Sequence, residues 1–199
     1  MHDPHQEFYN QLAAEWDLDY TAEDLERLSR LVETMKVKPG QIVLDLGCGT
    51  GILFDLLRRK VGEKGAVTGV DFSVQMARQA HRNFPFDNVN VVDADVAILP
   101  FRDHQFDLAV AFRAFPHFVD KRRTLAEIHR VLKPGAPFYI IHLVSSKELA
   151  MHHKKRGGVE AEDLLPSAED MQLMFMDARF AKLTIDDHPG LYLATAFNS

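Results

Sequence analysis

Three glycines at alternate positions, Gly47, Gly49 and Gly51, follow a short apolar stretch that contains one acid, Asp45. Glycine adopts backbone conformations that other residues avoid, so peptide N–H groups at such a turn can lie open to a ligand. Residues 52–57 are mostly apolar and dense enough for a helix, whose first N–H groups are also free. Strand, glycine turn and helix together predict a nucleotide-binding unit, and a tight turn without a ligand is the alternative.

The spacing of the glycines differs from that of a dinucleotide-binding turn. The pattern G-x-G-x-x-G would require glycine where this chain has Ile52. The form D-x-G-x-G-x-G, from Asp45 to Gly51, resembles motif I of the class I S-adenosylmethionine (SAM) methyltransferases. The resemblance implies that Gly47, Gly49 and Gly51 give backbone room to the methionine part of SAM. It also implies that Asp45 orients the turn and meets the amino group through water.

A second acid follows the second predicted strand. Asp71 lies 20 residues after Gly51, at the tip of a strand predicted over 66–70. A carboxylate at that place can accept hydrogen bonds from both ribose hydroxyls of an adenosyl group, and a helix N-cap is the alternative role. Phe72 and Met76 are then placed to touch the adenine face.

A third acid belongs to the segment 93–101, which resembles the D-A-x-x-L-P-F segment of the same family. Counted back from the Leu-Pro-Phe triplet, the matching aspartate is Asp95. The resemblance implies that this carboxylate lies near the adenine amino group and that the backbone of Val96 reads the ring edge. Asp93 is the competing candidate, because strand ends read from sequence are uncertain by a few residues.

The end of the fourth predicted strand faces the methyl group in this family, and there we expect Phe112 at the cofactor. The residues after it, 113–120, are similar to the family's L-H-H-V-x-D, with His117 and Asp120 matching. We expect His117 to act as a base for the acceptor. The segment lacks the D/N-P-P-Y/F/W tetrapeptide, which disfavours methylation of nucleic-acid amines.

Three histidines, His142, His152 and His153, follow the fifth predicted strand. Because ligands bind beyond the carboxyl ends of parallel strands, His142 is a second candidate base or orienting group. Two alternatives stay open: surface histidines with a Glu148–His152 pair, or a metal site formed by His142, His152 and Glu148. We assign no metal ligand.

Seven strands are predicted. They cover residues 42–46, 66–70, 89–92, 106–112, 137–143, 180–185 and 191–197. The R-V-L-K-P-G sequence at 130–135 resembles the family's lead into the fifth strand, and the last two strands form a terminal hairpin. These features predict an α/β fold: a Rossmann-like, doubly wound, seven-stranded sheet that is mostly parallel and has a C-terminal antiparallel hairpin.

Helices are predicted around this sheet. One spans residues 7–17 with Phe8, Leu12 and Trp16 on one face. It is similar to the family's opening segment over the cofactor, and a helix packed on the sheet edge is the alternative, compatible role. A second follows a capping box of Thr21 and Asp24, with an apolar stripe formed by Leu25, Leu28, Leu31, Val32 and Met35. Ser146 is the expected N-cap of a helix after the fifth strand. We expect a single domain, 1–199, with an N-terminal helical cap (1–36) and a substrate-side insertion (144–166).

Composition narrows the class of protein. The chain has 199 residues, one cysteine and a net charge of −6. A lone Cys48 excludes an intramolecular disulfide and a cysteine-cluster metal site. The acidic balance argues against binding to nucleic acid. No apolar run is long enough to span a bilayer, and a basic-then-apolar leader is absent from the first residues, so we expect a cytoplasmic protein without membrane contact. A homodimer is compatible with these features.

The sequence therefore predicts a SAM-dependent methyltransferase acting on a small-molecule acceptor, most similar to the ubiquinone and menaquinone biosynthesis branch. A non-catalytic SAM- or S-adenosylhomocysteine-binding sensor, or a partner subunit of the same fold, is the alternative. A nicotinamide oxidoreductase is the third reading.

Overall fold

The computed structural model describes residues 4–199, so the first three residues of the predicted N-terminal cap lie outside the described residues. Seven strands form one sheet in the order β3-β2-β1-β4-β5-β7-β6. The strands are β1 (Ile42–Leu46), β2 (Ala66–Asp71), β3 (Val89–Asp93), β4 (Leu108–Phe112), β5 (Pro137–His142), β6 (Phe180–His188) and β7 (Leu191–Asn198). The first five strands pair in parallel, and β7 pairs antiparallel with both β5 and β6. The predicted fold class is confirmed.

Helices cover both faces of the sheet. They are α1 (Pro4–Leu12), α2 (Ala22–Thr34), α3 (Phe54–Val61), α4 (Val74–Asn83), α5 (Lys121–Val131), α6 (Ser146–Arg156) and α7 (Ala168–Asp177). Strand β4 shows how the layers form, because its side chains alternate between two cores. Leu108, Val110 and Phe112 pack with residues of α2 and α3, whereas Ala109 and Ala111 pack with residues of α5 and α7. All five residues are buried, as expected for a central parallel strand.

The predicted capping box is confirmed. Thr21 caps α2 in a reciprocal capping box with Asp24. The structure also shows that Ser73, Asp120 and Ser167 are the N-caps of α4, α5 and α7. These caps were readable from sequence because each depends on residues within one helical turn.

Other local predictions were wrong. The helix expected over 7–17 ends at Leu12, and a separate 3₁₀ turn spans Trp16–Asp19. Leu25 is 47% exposed and lies outside the buried stripe of α2. The N-cap of α6 is Ser145, one residue before the expected Ser146, because its hydroxyl accepts the Glu148 N–H while the Glu148 carboxylate accepts the Ser145 N–H.

The parallel strands bring several chemically useful residues to one edge of the sheet. Leu46 pairs with Val70, and Asp71 pairs with Asp93, while Phe112 pairs with Ile141 on the other side. The strand order reverses between β1 and β4, and a ligand crevice is expected at such a switch point. Within residues 4–199, no helix combines the length and apolar character required to cross a membrane.

Candidate cofactor and acceptor site

The turn after β1 strongly favours glycine at three positions. Gly47, Gly49 and Gly51 have φ values of +66°, +52° and +91°, which side chains rarely allow. A Cβ atom on Gly47 would lie 2.5 Å from Ala114 Cβ, and one on Gly51 would lie 2.7 Å from the Phe54 ring. The N–H of Gly47 donates to the Val70 carbonyl at 2.8 Å, which fixes the turn against the end of β2.

A pocket lies between this turn and the ends of β2 and β4, and its space is about 880 Å³ including open solvent. Its walls combine backbone of the glycine turn, two acids, one arginine and many aromatic rings. The lining residues are Tyr9, Trp16, Tyr20, Gly47, Cys48, Gly49, Ile52, Asp71, Phe72, Met76, Asp95, Val96, Phe112, Arg113, Ala114, His117, Phe118 and Val119. Nine of the residues expected from sequence are thus brought together, while Gly51, Asp45 and His142 do not line the pocket.

Asp71 connects the turn to the second strand. Its Oδ2 accepts the Gly49 N–H at 2.8 Å, and its Oδ1 accepts the Ser73 N–H at 2.9 Å. Burial raises the pKa of this carboxyl to about 6, the two N–H donors oppose that shift, and the charge of Asp93 adds to it. Each oxygen has a further lone pair, so the carboxylate fits the two hydroxyls of a ribose.

Asp45 lies behind the glycine turn and is 1% exposed. Its Oδ2 has no hydrogen-bond partner among the described residues. Burial, with the charge of Asp71, raises the pKa of Asp45 to about 8. A buried acceptor without a hydrogen bond destabilises the protein, so a cationic group or a water molecule bound beside Asp45 should be stabilising. The residues present therefore fit a ligand with an amino group near the turn.

The residues expected at adenine also line the pocket, and their contacts with adenine stay predictions. Asp95 reaches the pocket, and its Oδ1 accepts the Ala97 N–H at 2.8 Å. Val96, Phe72 and Met76 line the same wall. The competing Asp93 is exposed and lies outside the pocket, so the placement favours Asp95.

Arg113 was missed as a site residue by the sequence reasoning. It follows β4 with a φ of +54°, and its guanidinium lies 4.9 Å from the centre of the Tyr20 ring. Burial raises the pKa of the Tyr20 hydroxyl, and the charge and hydrogen bond of Arg113 oppose this shift. A permanently charged guanidinium in the pocket wall suits a carboxylate.

His117 closes the pocket beside a group of polar side chains. It ends the 3₁₀ turn Phe115–His117, and its Nδ1 lies 2.8 Å from Asp163 Oδ2. Its Nε2 lies 3.9 Å from Glu160 Oε1, which accepts the Tyr9 hydroxyl at 2.8 Å. Both acids lie in the predicted substrate-side insertion (144–166), but the sequence reasoning singled out neither of them.

His142 is placed behind the pocket wall. It is 1% exposed, and neither ring nitrogen has a partner among the described residues. Burial lowers its pKa to about 3, and the charges of His117, Arg113 and His153 act in the same direction. The ring is therefore neutral at physiological pH. Its role as a base stays a prediction.

The metal alternative finds no support in the described part of the chain. Glu148 is engaged by the N–H groups of Gly190 and Ser145, which lower its pKa to about 2, and His152 is exposed. Within residues 4–199, no group of three or more His, Cys, Asp or Glu side chains is arranged to hold a metal ion.

The sheet order, the terminal hairpin and the pocket at the switch point define a class I methyltransferase fold. Residues 43–135 match the family model described as "Methyltransferase domain". A 2-phytyl-1,4-naphthoquinone methyltransferase from Nostoc sp. is 44% identical over 108 residues, which cover 52% of this chain and 47% of the relative. Residues 43–135 of this chain therefore form a methyltransferase domain of the class I SAM-dependent type, and the nicotinamide alternative was wrong.

Solved structures agree on the fold. A chain from the Haloferax volcanii complex of the Trm112 methyltransferase activator with a methyltransferase superposes with a TM-score of 0.79 at 23% identity, covering 96% of this chain and 97% of that one. A SAM-dependent methyltransferase from Aquifex aeolicus gives 0.70 at 23% identity, with both chains fully covered. The chain spans about half the length of the first curated relatives it matches.

Proposed function

We propose that the protein transfers the methyl group of SAM to a small, largely apolar acceptor in this pocket. The observation that carries the proposal is the convergence of the glycine turn, Asp71, Asp95 and His117 on one pocket at the switch point of the sheet. When bound, SAM supplies a methyl group already activated by its sulfonium. The chain has to hold the acceptor in line with that group and exclude water.

Different residues bind the different parts of SAM in this proposal. Bare backbone at Gly47 and Gly49 accommodates the methionine part, with the Asp45 carboxylate behind the turn reaching its amino group through water. Arg113 is the candidate for the methionine carboxylate. Asp71 holds the ribose hydroxyls, and Asp95 with the Val96 backbone reads adenine. Gly51 serves this site indirectly, because its absent Cβ makes room for Phe54 beneath the turn.

The acceptor class is supported by the chemistry of the remaining wall. Tyr9, Trp16, Phe112 and Phe118 present aromatic surface to the pocket, and Val119 at its mouth is 83% exposed. Aromatic walls with a few polar groups suit a flat, mostly apolar ligand. The Nostoc relative is named for a phytyl naphthoquinone. We therefore favour a reduced quinone as the acceptor, with His117 accepting its proton. Two further expectations from the sequence stay predictions: the protein does not bind nucleic acid, and it can form a homodimer.

The test combines binding with turnover. Calorimetry should detect SAM binding, and radiolabelled methyl should then pass from SAM to chemically reduced 2-phytyl-1,4-naphthoquinone. A metabolite extract serves as a second acceptor source, and Asp71→Ala serves as the binding-deficient control. SAM binding without S-adenosylhomocysteine from either source would favour the non-catalytic sensor or partner subunit and overturn the proposal.

A further inference from the structure

The segment that follows α6 places two acids beside His117. Glu160 lies in the 3₁₀ turn Gly158–Glu160 and is 1% exposed, and Asp163 follows it with a partly buried side chain. Asp163 does not line the pocket, yet its carboxylate contacts the His117 ring directly. We propose that Asp163 is a positioning residue, which fixes the tautomer and orientation of His117 so that Nε2 is the proton acceptor for the methyl acceptor. This inference rests on the proposed function.

The protonation of the pair follows from its surroundings. Burial raises the pKa of the Asp163 carboxyl, but the hydrogen bond from His117 and the charges of His117, His5 and Lys121 outweigh burial and hold the pKa below its ordinary value. An ionised carboxylate can only accept hydrogen bonds. The proton between the two groups therefore belongs to His117 Nδ1, and in the neutral ring the lone pair is left on Nε2.

Neighbouring groups fix both partners in place. His5 Nε2 lies 3.3 Å from Asp163 Oδ2, and His153 Nδ1 lies 2.5 Å from the Asp163 carbonyl oxygen. On the other side, Lys121 Nζ donates to the carbonyls of Pro116 and Phe118, at 2.7 and 2.9 Å, which flank His117. A ring held in this way needs little reorganisation when it accepts a proton.

Aromatic, acidic and basic side chains surround the His117 ring. Tyr9 lies 5.5 Å and His153 5.1 Å from its ring centre to centre. Glu160 Oε1 lies 3.9 Å from Nε2 but already accepts the Tyr9 hydroxyl. Lys121, His142 and Arg113 complete the charged and titratable surroundings of the pair.

The step balances without a further reactant. The acceptor loses a proton to His117 Nε2, and the electron pair that remains on the acceptor forms the bond to the methyl carbon. The bond between sulfur and that carbon breaks, and its electrons stay on sulfur in S-adenosylhomocysteine. The proton on Nε2 is later released to solvent, while Asp163 keeps its charge throughout.

The first test measures the ring and needs no acceptor. Long-range ¹H–¹⁵N NMR of the protein at neutral to mildly alkaline pH should show His117 with a protonated Nδ1 and an unprotonated Nε2. In Asp163→Asn, the Nε2–H tautomer should become substantially populated. The matched control is Glu162→Gln, which removes an exposed acid from the same segment and should leave the His117 signals unchanged. A wild-type-like tautomer in Asp163→Asn would overturn the inference.

The second test separates positioning from binding. Asp163→Asn should lower kcat for methyl transfer to reduced 2-phytyl-1,4-naphthoquinone by about 10–100-fold, within the range that general base catalysis contributes. The KM for SAM should stay within about twofold, because Asp163 does not line the pocket. An unchanged kcat would overturn the positioning role while leaving the proposed function standing. If no acceptor is methylated, the proposed function fails, and the NMR result still decides whether Asp163 sets the tautomer.

Discussion

The Asp71 carboxylate accepts the Gly49 N–H at 2.8 Å, which joins the tip of β2 to the glycine turn after β1. The acid and the turn are thus one unit. A ligand bound against the turn meets an acid whose position is already fixed by this bond and by the Ser73 N–H. Preorganisation of this kind lowers the cost of ordering the site when the ligand binds.

Replacement of Asp71 should weaken SAM binding. Asp71→Ala removes the proposed ribose acceptor, and we expect a loss of about 1–3 kcal/mol, the scale of a hydrogen bond to a charged group. Isothermal calorimetry measures it. The control is Asp93→Ala, which removes the exposed acid paired with Asp71 across the sheet edge and should change the affinity by less than about 0.5 kcal/mol. Equal affinities for both variants and the wild type would contradict the ribose assignment.

The steric constraint at Gly47 can be separated from its backbone constraint. Gly47 and Gly40 both have positive φ values, but a Cβ on Gly40 would meet nothing within 4 Å, whereas one on Gly47 would lie 2.5 Å from Ala114 Cβ. Each alanine substitution should cost about 1 kcal/mol for the left-handed conformation. Gly47→Ala should cost at least about 1 kcal/mol more, since overpacking adds to it. Urea unfolding measures the free energy of unfolding of both variants. Equal losses would show that Ala114 can move away from the new methyl group without a cost in stability.

Much of the fold was predictable because its signals are local. The buried strands, the Thr21 capping box and the Ser73 cap each depend on a few neighbouring residues, and parallel pairing then brings the strand ends to one edge. The Ser145 cap was displaced by one residue because adjacent serines offer the same hydroxyl. Asp71 could be placed because it ends a strand. Asp95 was placed instead by the resemblance of its segment to the family's D-A-x-x-L-P-F sequence.

The acidic side of the site was not predictable. The contact between His117 and Asp163 spans 46 residues, and the contact between Tyr9 and Glu160 spans 151. No sequence pattern in these segments predicts which residue each one contacts, because the path of a connecting segment is set by tertiary packing. The helix predicted over 7–17 was broken for a related reason: Tyr9 and Trp16 pack edge to face at 5.7 Å, which turns the chain back over the pocket.

The Tyr9–Glu160 hydrogen bond should hold α1 against the 3₁₀ turn Gly158–Glu160. Tyr9→Phe removes the hydroxyl that donates to Glu160 at 2.8 Å and leaves the ring in place. We expect a loss of about 1.5–3 kcal/mol in local stability, since the acceptor is a buried carboxylate. Hydrogen exchange should accelerate in α1 and in 158–163. Tyr20→Phe, which removes a hydroxyl on another wall, should leave exchange in these segments unchanged, and the same response in both variants would argue against the contact.

Asp45 should make the stability of the ligand-free protein depend on pH. Its pKa is about 8 in the folded chain against an ordinary value of 3.8, so between these values the native state holds a proton that the unfolded state has released. Where the native state binds more protons, the free energy of unfolding falls as pH rises. This stabilisation is complete below about pH 4 and is lost as pH rises through about 8. Asp71, with a pKa of about 6, contributes the same trend only up to that value.

The interval from pH 7 to 8 isolates Asp45, because His142, whose pKa is about 3, acts in the opposite direction only below the ordinary histidine range. There the free energy of unfolding should fall by up to about 1.4 kcal/mol per pH unit. Asp45→Asn cannot ionise and should abolish most of this slope, even if the amide lowers the absolute stability. Urea unfolding at several pH values measures the slope, with the exposed Glu63→Gln as the control that should retain it. A wild-type slope in Asp45→Asn would mean that Asp45 is already ionised in the folded protein, and the case for an orphaned acid awaiting the amino group of SAM would fail.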